Sequence, residues 1–248
     1  MSETAFTRLA GRVTMAYAAA FLCATLVITF ATPGLVLTEH GVIGGDFLAF
    51  YTAGDFARGG DALAAYDFEA FDAKAKEMAP LEHLGLMWQY PPTMFFVTAP
   101  FAFLPYKISY VLWCASGWAM LLWSLKKLGF SNRAFWLLGF SPLCVNVIDN
   151  GQISLATAAL LLPIAFLAVG AWRTIAVAII AATLLHAPAL LVFGVEGWRA
   201  FFAAVARLNA DVVGAGLHTP PTGMTTLFGQ LRVLGVSSAF AVGAQYVL

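Results

Sequence analysis

The sequence predicts an all-α, polytopic transmembrane helix bundle with a large first extracytoplasmic loop bearing juxtamembrane helices, and three observations lead there. The chain is 61% hydrophobic and only 10% charged, whereas about a quarter of the residues of a soluble domain are charged. Its apolar residues gather into runs close to the ~20 residues with which an α-helix crosses a hydrocarbon core of ~30 Å. Nine of its 13 acidic residues crowd into residues 32–90, where only Arg58, Lys74 and Lys76 oppose them.

The first apolar run covers residues 13–31, behind Arg8 and Arg12. It is longer than the apolar region of a signal peptide and no small-residue cleavage site follows, so it is read as a retained helix. Further runs occupy 108–125, 134–148, 153–171, 174–195 and 233–248. A shorter run, 93–104, follows Tyr90-Pro91-Pro92 and closes at Pro105; its length suits a re-entrant or strongly tilted helix better than a crossing. If it does not cross, Lys126, Lys127, Arg133 and Arg173 join Arg8 and Arg12 on the cytoplasmic side, as the positive-inside rule prefers. The turn at 150–152 then shares the outer face with the acidic loop, and this is the arrangement expected.

Within the loop, residues 47–58 read as a helix ended by Gly59-Gly60. Residues 68–78 place Phe71, Ala75 and Met78 at helical spacing, the pattern of an amphipathic helix lying on the membrane surface. Residues 198–208 repeat that pattern, with Phe201 and Phe202 between Arg199 and Arg207. Asp55 and Asp61 read as solvated loop acids, and Asp67 as the cap of the surface helix. No linker or repeat divides the chain, so residues 1–248 read as one membrane domain whose loop, 32–92, holds the candidate active site. Leu248 lies inside an apolar run, which either finishes at the membrane surface or continues in a longer protein.

Several function classes drop out. Formal net charge is zero, so no overall field draws nucleic acid. Cys23, Cys114 and Cys144 all sit in apolar runs and read as small buried hydrophobes. His40, His83, His186 and His218 are scattered without ligand spacing, so no metal site is expected. Without a phosphate-binding glycine loop, dinucleotide fingerprint or nucleophile elbow, no cofactor is expected either.

The residues that could carry chemistry are few. Asp46, on the glycine-flanked turn GGDF near the outer surface, is placed to take a proton from an acceptor hydroxyl, or else to cap the helix beginning at Phe47. Gln89 and Tyr90 form a hydrogen-bonding pair suited to a sugar or phosphate. Asp149-Asn150-Gly151-Gln152 is a polar turn between two apolar runs. His186, ahead of Ala187-Pro188, is an ionisable group inside an apolar run: a functional residue, or a neutral ring bonded to a carbonyl freed by Pro188.

The ordered set DFLAFYTAGDFARGGDALAAYDF, YPPTMFFVTAPFAFLPYKISYVLW, DNGQISLATAALLL and TGMTTLFGQLRVLG resembles the integral-membrane glycosyltransferase family 87. That family belongs to the multi-helix (GT-C type) transferases that use polyprenyl-phosphate sugars, and it includes alpha-mannosyltransferases. The resemblance implies transfer of a hexose, often mannose, from a polyprenyl-phosphate donor to a lipid or glycan acceptor on the outer face of the plasma membrane, with membrane lipids as surroundings. It implies a general base at Asp46 and carries Tyr51, Tyr66, Tyr90 and Gln152 over to the site; with Gln89, Asn150 and His186, which departs from the lysine that relatives place before a proline, these are the expected substrate contacts. Two other classes remain open. A transporter or channel would line its bundle with ionisable groups at mid-depth, where this chain offers little besides His186. A truncated relative would fold without catalysing.

Overall fold

The computed structural model describes residues 3–38, 41–81, 86–154, 156–157, 172–210 and 237. Helix α1, Glu3–Ala31, is apolar all round and keeps side chains such as Val27 and Phe30 exposed, as a helix facing lipid does. Three stretches are long and apolar enough to cross a membrane: Gly11–Ala31, Tyr106–Lys127 and Thr183–Leu208. The protein is therefore a helical membrane protein, with one small addition that the sequence did not signal. Strands β1, Val36–Thr38, and β2, Gly41–Val42, pair antiparallel just after α1.

Beyond the hairpin, the acidic stretch folds into a compact layer of short helices. These are α2, Phe47–Arg58; a 3-10 helix, Ala62–Tyr66; α3, Phe68–Met78; and α4, Met94–Thr98, continued by a 3-10 helix, Ala99–Phe103. Asp67 caps α3 as expected, its Oδ1 accepting from Ala70 N at 2.9 Å. The apolar stripe of α3 does not lie on lipid: Phe71 and Ala75 are fully buried, Phe71 stacking on Phe56 of α2. Asp55 is likewise no loop acid. It sits on α2 between Arg58 and Lys74, with Lys74 Nζ at 2.8 Å, clamping α2 to α3. Partial burial works against its charge, but the two cations outweigh this and hold the carboxyl below its usual value.

The layer is bound by an aromatic core. Phe50 is buried against Trp113 at 4.8 Å between ring centroids, Tyr90 at 4.9 Å and the edge of Trp88 at 6.0 Å. Phe47 packs on Tyr106, Tyr110 and Trp113, at 5.2, 5.8 and 5.7 Å. Burial of such rings removes ~150–250 Å² of surface each, and offset or edge-on pairs add ~0.5–1.5 kcal/mol. The run at 93–104 joins this core through Phe95 and Phe101. Its ten helical residues, Met94–Phe103, reach only ~15 Å, about half of a hydrocarbon core.

Helix α5, Tyr106–Lys127, leaves the layer after Pro105 and ends in Lys126 and Lys127. The return path differs from the single crossing expected at 134–148. It is split into α6, Asn132–Gly139, and α7, Pro142–Asp149. The break has a local cause: Ser141 Oγ accepts from Cys144 N at 3.2 Å and Pro142 opens the new helix, so residues 141–142 make a fresh N-terminus. Trp118 of α5 donates to the Gly139 carbonyl at 2.7 Å, satisfying a group the break exposes. Of the three cysteines, Cys144 is buried, Cys114 half-buried and Cys23 exposed on α1, so the expectation of uniform burial fails for Cys23.

Helix α8, Trp172–Asn209, carries Pro188 and breaks at Gly194, whose φ of 62° and ψ of −171° are not helical. The expected crossing at 174–195 and the surface element at 198–208 are thus two arms of one element. The second arm does not lie on lipid alone, since Phe201 and Ala204 pack against the aromatic core. Residues 155 and 158–171 of the run at 153–171, all of 233–248 except residue 237, and His40, His83 and His218 fall outside the described residues.

Tyr106 donates its hydroxyl to the Ile43 carbonyl at 2.7 Å in a buried setting. Tyr106→Phe leaves that acceptor without a partner and is expected to cost ~1–3 kcal/mol, read as a lowered Tm in detergent. Phe30→Ala, on the exposed face of α1, should leave Tm nearly unchanged in the same assay.

Candidate active site

Two glycine turns meet at the start of α5. The first, Gly41–Asp46, leads into α2; the second, Asp149–Gln152, follows α7. Gly44 has φ of 73° and Gly151 φ of 62°, values that side chains resist. A Cβ at Gly44 would also stand 2.7 Å from the Tyr110 ring, and one at Gly151 would stand 2.7 Å from the Gly44 carbonyl oxygen. Glycine at these positions lets one backbone lie against the other, and Asp46 N donates to Asn150 O at 2.9 Å between them.

Helix α5 fixes both turns from one face. Tyr106, Tyr110 and Trp113 recur at spacings of four and three, which places them in line along a helix. Tyr106 donates to Ile43 O at 2.7 Å, Tyr110 to Ile148 O and Asp149 O at 3.0 and 3.1 Å, and Trp113 Nε1 to Gly151 O at 3.0 Å. Each aromatic ring is buried while its polar end satisfies a turn carbonyl.

The Asp46 carboxylate emerges at this junction. Asp46 precedes α2 but makes no side-chain capping bond, so the capping role left open by the sequence is not taken up. Instead Oδ2 accepts a hydrogen bond from Gln152 Nε2, while Ser154 Oγ donates to Gln152 Oε1 at 3.1 Å, orienting the amide. Burial pushes the Asp46 carboxyl above its usual value, and the Gln152 bond partly offsets this by favouring the ionised form. A carboxylate with raised proton affinity, kept free of helix capping, is equipped to accept a proton.

Asp46 lines a cavity of about 430 Å³ together with Thr25 and Thr29 of α1, Tyr110, Asp149 and Asn150. Two carboxylates and no cation stand among its described lining residues, so it suits neutral, hydroxyl-rich groups better than a phosphate.

Of the residues the sequence grouped with Asp46, the structure brings together Gln152, Asn150 and Tyr90. Burial raises the Tyr90 phenol above its ordinary pKa, and the Asp46 charge adds to the shift. Gln89 is exposed on the same segment. Tyr51 and Tyr66 are held elsewhere: their hydroxyls donate to Leu104 O at 2.8 Å and Tyr90 O at 2.7 Å, and neither lines the Asp46 cavity. His186 is exposed on α8, stacked on Trp198 at 5.5 Å, and does not line it either. Sequence reading passed over Tyr110, Trp113, Ser154 and Thr25. The first two had a usable signal, polar-tipped aromatics in line on an otherwise apolar helix.

Comparison with known proteins bears on this arrangement. Residues 88–162 match the model of glycosyltransferase family 87. The matched segment holds Tyr90, the α5 aromatics and the Gly151-Gln152 turn, whereas Asp46 lies before it. No curated protein and no solved structure matches the chain. The family match and the three apolar helices long enough to cross a bilayer support a membrane glycosyltransferase, which would act on a sugar donor and an acceptor.

The ionisation of Asp46 gives a pH test. A raised carboxyl pKa delays ionisation, so a reaction that needs the carboxylate rises with pH through that value and levels off above it. Gln152→Leu removes the bond that favours the charged form. The acid limb of the rate profile should move to higher pH, with transfer partly recovered in more alkaline buffer.

Proposed function

We propose that the protein transfers a hexose, mannose by family resemblance, from a polyprenyl-phosphate donor to a lipid or glycan hydroxyl at the extracytoplasmic face of the plasma membrane, with Asp46 as general base. The observation that carries this reading is the Asp46 side chain, which makes no capping bond, accepts a hydrogen bond from Gln152 and lines a cavity with two carboxylates and no cation among its described lining. The acceptor hydroxyl passes its proton to Asp46 as its oxygen forms a bond to the anomeric carbon. The bond from that carbon to the phosphate oxygen breaks, and its electron pair leaves on the lipid phosphate. Because the leaving group already carries charge well, one carboxylate suffices, whereas glycoside hydrolysis normally uses two. Asn150 and Tyr90 hold hydroxyls of donor and acceptor, and the phosphate stays outside the described lining, where no carboxylate repels it.

The direct test supplies membranes containing the protein with radiolabelled polyprenyl-phosphate mannose. Asp46→Asn keeps shape and hydrogen bonding but cannot take the proton, and should lower label transfer by ~10²-fold or more. Equal transfer by the variant and the parent would remove Asp46 from the mechanism. For the sidedness, single cysteines at Gln152 and Arg133 in a cysteine-free background should react with an impermeant maleimide from outside and from inside respectively. Reversed labelling would place the site on the cytoplasmic face.

A further inference from the structure

A second cavity lies between the loop layer and the C-terminal arm of α8. It measures about 330 Å³, within the range of small-ligand sites, and is lined by Tyr66, Asp67, Glu69, Met87, Trp88 and Arg207, among others. Trp88 is only 2% exposed, its ring packed against Phe50, Tyr90 and Phe95, yet its indole N–H makes no hydrogen bond within the protein. The Tyr66 hydroxyl stands close enough to feel this N–H but does not accept from it in bonding geometry, and gives its own proton to Tyr90 O at 2.7 Å. A buried donor without an acceptor is rare and points to a ligand or ordered water.

We propose that this cavity is a saccharide subsite that holds the sugar residues of a glycan acceptor next in line to the one being modified. The inference rests on the glycosyl-transfer reading of the Asp46 cavity. Its chemistry is mixed, as a polyol requires. Among its lining residues Trp88 and Arg207 carry donors, and Glu69, Asp67 and Tyr66 carry acceptors. Two carboxylates against one cation disfavour a phosphate or an acidic sugar. The two cavities are also neighbours along one segment, since Leu86 lines the first while Met87 and Trp88 line the second. Tyr90 joins them, its carbonyl bonded to Tyr66 and its phenol within the field of Asp46. On this proposal a linear glycan with its reacting hydroxyl at Asp46 runs along the 86–90 segment into the second cavity.

The test measures binding by titration calorimetry on the full chain in nanodiscs, using a methyl mannoside, mannosyl and glucosyl trisaccharides, and inorganic phosphate as probes. A trisaccharide should bind more tightly than the monosaccharide. Trp88→Phe and Arg207→Ala should each weaken it by roughly 3- to 10-fold, the worth of one hydrogen bond, and Phe30→Ala, on the exposed face of α1, should not. Phosphate should not compete. Trisaccharide affinity insensitive to both changes, loss confined to Asp46→Asn, displacement by phosphate, or no binding by any sugar would overturn the subsite. Should Trp88→Phe fail to fold, Glu69→Gln on the exposed rim carries the same expectation. If wild-type protein transfers no label yet binds sugars through Trp88, the catalytic reading fails and the subsite stands; Asp46-dependent transfer with Trp88-independent binding gives the reverse.

Discussion

The arrangement depends on three side chains of one helix. Tyr106, Tyr110 and Trp113 each bury a ring and spend a polar tip on a carbonyl of a glycine turn. Such carbonyls cannot be left dry at the edge of a bilayer, where each unmet group is costly. Meeting them from one rigid element brings two segments more than a hundred residues apart in sequence into main-chain contact, and from that contact Asp46 acquires its partner Gln152.

The polar loop gains its order from the same aromatics. A stretch with a net charge of −6 would be expected to stay hydrated and mobile at the membrane surface. Here Phe47 and Phe50 insert between α5 and the segment ahead of α4, and the charges are moved to the rim, where Asp55 joins Arg58 and Lys74. Most buried side chains of the described residues therefore lie in or against the loop layer, while residues 11–31 and 183–192 leave most of theirs exposed. The Asp46 cavity is bounded by this layer and the turn at 149–150 on one side and by Thr25, Ile28 and Thr29 of α1 on the other.

The electrostatics of the main cavity narrow the chemistry. Asp46 and Asp149 share one wall with hydroxyl and amide groups. Two carboxylates without a cation favour a neutral occupant over a phosphate, and burial raises the proton affinity of Asp46. The match to glycosyltransferase family 87 falls on the Gly151-Gln152 turn and on the helix that fixes it, not on Asp46.

The sequence by itself determined the membrane class, the apolar stretches of α1 and α5, the boundaries of α3 and the candidacy of Asp46, because run length, helical spacing and capping are local properties. It also determined that residues 93–104 are too short to be an ordinary crossing. Only the tertiary structure decided which partner Asp46 takes, that the stripe of α3 meets protein instead of lipid, that Tyr51 and Tyr66 serve backbone carbonyls, and that His186 pairs with Trp198 away from the cavity. The reason is the same in each case. An apolar stripe or a hydroxyl states that it needs a partner, but its neighbours are set by contacts between distant segments, and those contacts follow here from one helix supplying hydrogen bonds to two turns at once.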